Sequence, residues 1–255
     1  MSFPSRCCRL LLALLSTGIG AQSLWVEAKV LTPLRVELPT PYDPARAYPL
    51  VLLLHGRGGA AAPMLALRAQ LGGDRFIIAA PQGPYPEGGG YRWFLPSDDP
   101  KLWAHSDPLV VELIQQVIQA LRQRHSVAGV YLLGHSEGAG LAYLATARLR
   151  SEVAGVLAFG AGPPSAVLGE TDIAALRGVP HFLAHGQGDS IFPYASLPAR
   201  LDYWKSMHVP ATFVGYAGGH SLEHAPLAAA GAWILKQENN KSPGAPLPPA
   251  IEHRD

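Results

Sequence analysis

The segment Val130-Tyr131-Leu132-Leu133-Gly134-His135-Ser136-Glu137-Gly138-Ala139-Gly140 runs an apolar stretch into G-x-S-x-G and then into a helix-forming stretch. Glycines 134 and 138 flank the serine where a sharp strand-to-helix turn needs residues without Cβ, because such a turn holds its serine at strained dihedrals and in close quarters. The turn would lift Ser136 into a cleft. The N-terminus of the following helix would supply unpaired N–H groups and positive potential where an oxyanion forms. These features suit a nucleophilic serine.

Three further stretches could complete that chemistry. Val51-Leu52-Leu53-Leu54-His55-Gly56-Arg57-Gly58-Gly59 reads as a buried strand ending in a glycine-rich loop. A loop in that place commonly gives the second oxyanion donor, so the backbone N–H groups of Arg57 and Glu137 form the expected pair. The alternative for the loop is an ordinary βα turn. Asp189, in Phe182-Leu183-Ala184-His185-Gly186-Gln187-Gly188-Asp189, follows another apolar run and is placed to orient an imidazole. Asp172 and Asp202 fall in or beside helix candidates, where surface roles suit them better. His220 follows the strand candidate 211–216 through Ala217-Gly218-Gly219. The chain order Ser136, Asp189, His220 is the order found in hydrolases built around such an elbow.

A rival reading attaches to His220. His220-Ser221-Leu222-Glu223-His224 also matches H-x-x-E-H, the pattern of inverted zinc peptidases. That reading needs a third protein ligand held in the fold beyond the helix, where the only glutamates are Glu238 and Glu252, at its end or in the tail. It also leaves the serine, aspartate and glycine-loop features as accidents, so the triad is preferred and His224 becomes a helix-surface residue. His181 and His185 share a strand face by spacing, and packed or hydrogen-bonded roles are expected for them. The side chains of His135 and Glu137 are expected to support the elbow.

Short apolar runs alternate with longer segments of helical period, the pattern of a mostly parallel sheet covered by helices on both faces. Strands are predicted at 24–31, 34–38, 48–54, 76–80, 129–133, 153–159, 181–184 and 211–216, the early ones forming an antiparallel edge. Helices are predicted at 61–71, 107–124, 138–149, 195–207 and 221–236. In the second of these, Leu109, Leu113, Ile114, Val117, Ile118 and Leu121 recur at helical spacing, with Ser106 or Asp107 as cap. No internal repeat is visible.

Charged residues make up only 15% of the chain and apolar residues 48%, which argues against disorder and against a nucleic-acid partner. Arg6 and Arg9 precede the apolar run 10–15, which small residues follow, the layout of a secretory signal with cleavage near Ala21. The run is short for a membrane span; an uncleaved anchor is the alternative. Residues 1–21 hold two Arg, no acid and both cysteines, Cys7 and Cys8. A processed chain would have 18 basic against 19 acidic residues, a formal charge of −1, and neither a disulfide nor a thiol nucleophile. The expected organisation is a signal peptide at 1–21, one catalytic domain at 22–236, and a polar, proline-rich tail at 237–255 outside the fold.

Taken together, the motifs LHGRGG (54–59), APQGPYP (80–86), YRWF (91–94), GHSEGAG (134–140), HGQGDSIFP (185–193) and GGH (218–220) resemble the α/β-hydrolase superfamily. More narrowly they resemble its carboxylesterase/phospholipase family, which includes acyl-protein thioesterase-like enzymes. The resemblance spans most of residues 48–236 and implies an α/β-hydrolase fold and a serine esterase. It further implies that Trp93 and Phe94 help line an acyl pocket, a core-aromatic role being the alternative. The chain departs from the family at Leu95, where an aspartate often follows the aromatic pair, and at GHSEG, where GFSQG is commoner.

The chemistry so read is a two-step ester hydrolysis on a small-molecule ester of short to medium acyl length, with no metal or organic cofactor required. The rivals are a secreted polyester depolymerase or feruloyl-type esterase, a serine peptidase, and a noncatalytic binding protein on the same fold. Export to the periplasm or medium is expected from residues 1–21.

Overall fold

The computed structural model describes residues 31–95, 100–161, 168–209 and 211–240, and the side chains of 100–105 lie outside that description. Its centre is a run of strands that are apolar at consecutive positions. In β2 (Tyr48–Leu54) every residue is buried; Leu50, Leu52 and Leu54 face one side of the sheet and Val51 and Leu53 the other. A strand that reads as unbroken Leu and Val, without polar alternation, is stable only when both faces are covered. The sheet has seven strands in the order β1-β3-β2-β6-β7-β8-β9, with β1 (Leu34–Glu37), β3 (Ile77–Pro81), β6 (Val127–His135), β7 (Gly155–Phe159), β8 (His181–Gly186) and β9 (Ala211–Tyr216). All pairs are parallel except β1 with β3, which makes the antiparallel edge.

Helices cover the two faces unequally. On one side lie α3 (Pro100–Arg122), α4 (Glu137–Arg148), α5 (Glu170–Leu176) and α6 (Leu197–Ser206), whose Ile114, Leu144, Leu176 and Trp204 join the larger core. On the other lie α1 (Ala61–Leu65), α2 (Arg68–Leu71) and α7 (His224–Asn240), which contribute Met64, Leu71, Leu227 and Ile234. Among the described residues, no helix is long and apolar enough to cross a membrane.

Several boundaries differ from the sequence reading. The expected helix 61–71 is two short helices with a turn at Ala66–Leu67. The packing helix α3 begins at Pro100, so Ser106 and Asp107 lie inside it and cap nothing; Ser106 is fully buried. A hairpin of β4 (Tyr85–Glu87) and β5 (Gly90–Arg92) was not expected, since each strand has three residues and a glycine turn joins them. Helix α5 was missed because only Ile173 and Leu176 carry its apolar signal. The tail predicted from 237 starts later: α7 continues to Asn240, and Glu238 accepts a hydrogen bond from the Tyr131 hydroxyl. A buried strand tyrosine needs such an acceptor, which draws the last helical turn onto the sheet. The predicted signal segment 1–21, nearly all of the strand at 24–31, and residues 241–255 of the tail lie outside the described residues.

Candidate active site

The chemistry-bearing residues all sit just past the C-terminal ends of parallel strands, where an open α/β sheet presents its loops to ligands. Ser136 follows β6 with φ 54° and ψ −118°, a conformation that a residue with a side chain adopts at a cost of about 1–3 kcal/mol. The fold holds it there by close backbone approach on both flanks. A Cβ on Gly134 would stand 2.1 Å from the Gly138 carbonyl oxygen, and one on Gly138 would stand 2.3 Å from that of Leu54. The turn is thus pressed between β2 and its own helix, and the Ser136 N–H is tied to the Phe159 carbonyl of β7 at 2.9 Å.

Asp189 and His220 come from the loops after β8 and β9. These loops run backbone against backbone: Gln187 N–H donates to Tyr216 O at 2.9 Å and Gly188 N–H to Gly218 O at 2.8 Å. A Cβ on Gly186 would lie 2.2 Å from Gly219 O, so glycine there is a condition of the approach. It brings His220 Nδ1 to 2.8 Å from Asp189 Oδ2. An ionised carboxylate only accepts, so Nδ1 carries the proton and Nε2 is left as the basic nitrogen. The Tyr216 hydroxyl steadies the same loop by donating to Ser221 O at 2.6 Å.

Asp189 is held by more than its triad partner. Its Oδ1 accepts from the N–H groups of Ile191 (2.9 Å) and Phe192 (2.8 Å). His185 Nε2, bonded to Phe192 O at 2.7 Å and so the protonated nitrogen, also lies 3.2 Å from Asp189 Oδ2. Burial alone would raise the Asp189 pKa; the hydrogen bonds from His220, Phe192 and Ile191 outweigh it and hold the carboxyl below its ordinary range. The sequence reading gave His185 a hydrogen-bonded role, and the structure shows that the aspartate shares in it.

Ser136, His135 and His220 line one cavity of about 300 Å³ with residues 55–60 of the loop after β2 and with Pro63 and Met64 of α1. Arg57 lies on this wall. The N–H groups of Gly58 and Gly59 are used, by Tyr91 O and Gly56 O, while that of Arg57 enters no backbone hydrogen bond among the described residues. Glu137 is the first residue of α4, so its N–H has no partner within the helix. Both expected oxyanion donors are thus backbone N–H groups without a backbone partner among the described residues, one on the cavity wall and one directly after the serine in the chain.

Two expectations require correction. Trp93 and Phe94 do not line this cavity. Trp93 is fully buried; its Nε1 donates to His55 O at 2.7 Å, its backbone N–H donates to Glu137 Oε2 at 2.8 Å, and its ring stacks on that of His55 at 4.7 Å. An indole with a donor is buried where that donor finds an acceptor, and here the acceptor is the chain leading into the glycine-rich loop after β2. Phe94 is partly buried and packs on the larger core.

Sequence reasoning assigned no role to His55. Its Nε2 accepts from Gly83 N–H (3.0 Å) and its Nδ1 donates to Gly56 O (2.8 Å), and burial lowers its pKa against the opposing pull of that carbonyl. Its place directly before the glycine-rich loop was the available signal. His135 packs against His220, with ring centroids 4.9 Å apart; burial, reinforced by the charge of His220, lowers its pKa to about 4.

The zinc pattern fails on geometry. H-x-x-E-H places both imidazoles on one helix, but α7 starts at His224, and His220 lies in the preceding loop bound to Asp189. Among the described residues, no group of three or more potential ligands converges on a metal site.

A mostly parallel sheet in this strand order, with an elbow serine, an acid and a histidine on the loops after β6, β8 and β9, defines an α/β-hydrolase. The phospholipase/carboxylesterase family model matches residues 40–237, and the chain belongs to that family, a family of serine-type hydrolases of carboxylic esters. Similar solved structures include esterase PE8, 24% identical over 81% of this chain and 99% of that one, with a TM-score of 0.65. A Bacillus cereus carboxylesterase is 17% identical over 81% and 95%, at TM-score 0.64. Zea mays acyl-protein thioesterase 2 is 16% identical over 82% and 100%, at TM-score 0.65. At these identities the likeness establishes the fold. No curated protein sequence matches.

Proposed function

We propose that the protein hydrolyses small carboxylic esters of short to medium acyl length in two steps through an acyl-enzyme on Ser136. The observation that carries this is one cavity shared by a strained elbow serine and a histidine whose Nδ1 is bound to a buried carboxylate. Ser136 Oγ attacks the ester carbonyl as His220 Nε2 takes its proton. Asp189 fixes the imidazole tautomer and stabilises the imidazolium. The N–H groups of Arg57 and Glu137 receive the oxyanion, a contribution of about 3 kcal/mol per donor in comparable sites. His220 then protonates the departing alkoxide, and in the second step it activates the water that attacks the acyl-enzyme and returns Ser136. No step calls for a metal or organic cofactor.

The acyl-length assignment rests on size and lining. A cavity of about 300 Å³ walled by Pro63 and Met64 lies at the small end of ligand sites and offers apolar surface for a short chain. Export through residues 1–21 remains part of the proposal on the strength of the Arg6/Arg9 and apolar-run layout; intact-mass analysis of exported protein should find a chain starting near Gln22.

The test is the initial rate on p-nitrophenyl esters from acetate to palmitate, with Ser136→Ala alongside. Serine-dependent turnover that peaks at short or medium chains supports the proposal. Absence of turnover on every ester, or turnover that survives Ser136→Ala, refutes it.

A further inference from the structure

The two proposed oxyanion donors stand on separate segments, one on the loop after β2 and one on the elbow, and their own side chains meet. Arg57 Nε lies 3.8 Å from Glu137 Oε1 and 3.8 Å from Glu87 Oε1. Arg92 completes the figure, with Nη2 3.3 Å from Glu137 Oε1 and Nη1 3.3 Å from Glu87 Oε2. Two guanidiniums and two carboxylates thus close a ring of alternating charge. Glu137 Oε2 is not part of the ring; it accepts the Trp93 N–H, and Trp93 Nε1 in turn holds His55 O at the root of the oxyanion loop. The hairpin that carries Glu87 and Arg92 is also bonded to that loop, by Gly58 N–H to Tyr91 O and Tyr91 N–H to Gly59 O, both 2.9 Å.

We propose that the Glu137 carboxylate is a positioning residue that sets the spacing of the two oxyanion donors through this ring, an inference that rests on the esterase reading. The loop is fastened to the hairpin, the hairpin is fastened to Glu137, and Glu137 belongs to the elbow. A hydrogen-bond donor aimed at a developing charge must be held within about 0.5 Å to be effective, and neither segment supplies that constraint alone. The charge on Glu137 is demanded by Arg92. That guanidinium side chain is only 8% exposed, and its Nε has no hydrogen-bond partner, so its compensation comes from the two carboxylates beside it. Glutamine could equally accept the Trp93 N–H; it could not balance a buried cation. With Glu137 neutral, Arg92 would keep only the Glu87 carboxylate at 3.3 Å, and halving the compensation of a buried cation is destabilising, a cost that a shift of the segment carrying it would relieve.

The test compares Glu137→Gln, Glu137→Gln/Arg92→Met and Arg57→Met with the wild type on p-nitrophenyl acetate, with kcat expressed per serine titrated by a fluorophosphonate. Deleting an oxyanion donor costs about 100- to 1,000-fold, so misplacing donors that remain present should cost Glu137→Gln about 10-fold in kcat with KM changed less than about 2-fold. Removing the under-compensated cation as well should bring the double variant back to within about 3-fold of wild type, a non-additivity expected of groups in direct contact. A residue with a purely structural role would shift thermal stability while leaving kcat per titrated site unchanged. The inference is overturned if Glu137→Gln keeps wild-type kcat, or if the double variant is no better than the single. Should Glu137→Gln fail to fold, the exposed Arg57→Met decides: its backbone N–H persists, a fall in kcat of about 3-fold is expected from loosening one side of the clamp, and an unchanged kcat overturns the proposal. Failure of the wild type to show Ser136-dependent turnover would instead remove the functional reading on which the inference stands.

Discussion

Acid should weaken the fold through His181, and the size of the effect follows from its surroundings. His181 opens β8, the strand whose other end carries His185 and leads to Asp189, and its side chain is buried. Its ring stacks on Tyr143 at 5.8 Å and meets Trp204 edge-on at 5.4 Å. Nε2 is bonded to Leu176 O at 3.2 Å, and Nδ1 has no hydrogen-bond partner. The neutral ring with its proton on Nε2 fits this site. A second proton on Nδ1 would be a buried charge, and burial lowers the pKa from 6.5 to about 4, with the Leu176 carbonyl opposing. The unfolded chain therefore takes up the proton at higher pH than the native one, so stability is complete above about pH 6.5 and is lost as the pH falls towards 4. The full span corresponds to about 3 kcal/mol, and at pH 5 about 2 kcal/mol should already be gone. Urea unfolding at pH 7.5 and pH 5 measures it. His181→Phe retains the aromatic packing and cannot titrate, so its loss between the two pH values should be smaller than that of wild type by about 2 kcal/mol. Identical losses in the two proteins would show that His181 is not the buried base described here.

Further outcomes follow from the site. Ser136→Ala and His220→Ala should each lower ester turnover by about four orders of magnitude or more with the fold intact, whereas His224→Ala should be far milder; the reverse ranking of the two histidines would move the general base. Asp189→Asn should keep the loop hydrogen bonds at Ile191 and Phe192 yet lower kcat by about 10⁴-fold, because an amide can favour the wrong imidazole tautomer; a loss below tenfold in kinetics on p-nitrophenyl acetate would count against the orienting role. Trp93→Phe keeps one aromatic ring but removes the pyrrole half with its donor to His55 O, so it should cost about 1–3 kcal/mol in denaturant unfolding for the buried carbonyl left unpaired, with a cavity cost added; an unchanged midpoint would refute that bond's importance. Met64→Ala should move the chain-length optimum upward if the α1 wall bounds the acyl group, and an unmoved optimum would place the acyl chain elsewhere.

Most strands of the sheet were legible because their apolar runs are short, continuous and rich in Leu, Val and Ile; the edge strand 211–216 was legible from its β-branched and aromatic residues Thr212, Phe213, Val214 and Tyr216. The segments 48–54 and 211–216 are recovered to the residue. The serine, aspartate and histidine were legible for another reason: each stands directly after such a run beside glycines that close packing demands. Features that depend on partners distant in sequence were hidden. Nothing near Trp93 announces that its two donors will meet His55 and Glu137, and the aromatic pair reads equally as pocket or core. Helix ends were hidden too. Helix α3 runs through Pro108, and the last turn of α7 is drawn on by Tyr131, whose need for an acceptor is invisible in a local window.

The arrangement explains why the strained residue and the charged ring occur together. Ser136 is forced to positive φ, and the turn that carries it cannot relax without lifting α4 from β2, because Gly138 lies against the Leu54 and His55 carbonyls. The same helix start leaves the Glu137 N–H without a partner inside α4 and sends its carboxylate to Trp93 and Arg92. In the proposed mechanism Glu137 and Arg57 each serve the oxyanion through the backbone, while their side chains join the same ring of charges. Backbone donors have no rotamers to adjust, so their aim is set by the segments that bear them. On the proposed role of Glu137, the ring would pass a change in the hairpin 85–92 to the oxyanion donors. Substitutions at Glu87 or Arg92, neither of which lines the cavity, should therefore act on kcat ahead of KM.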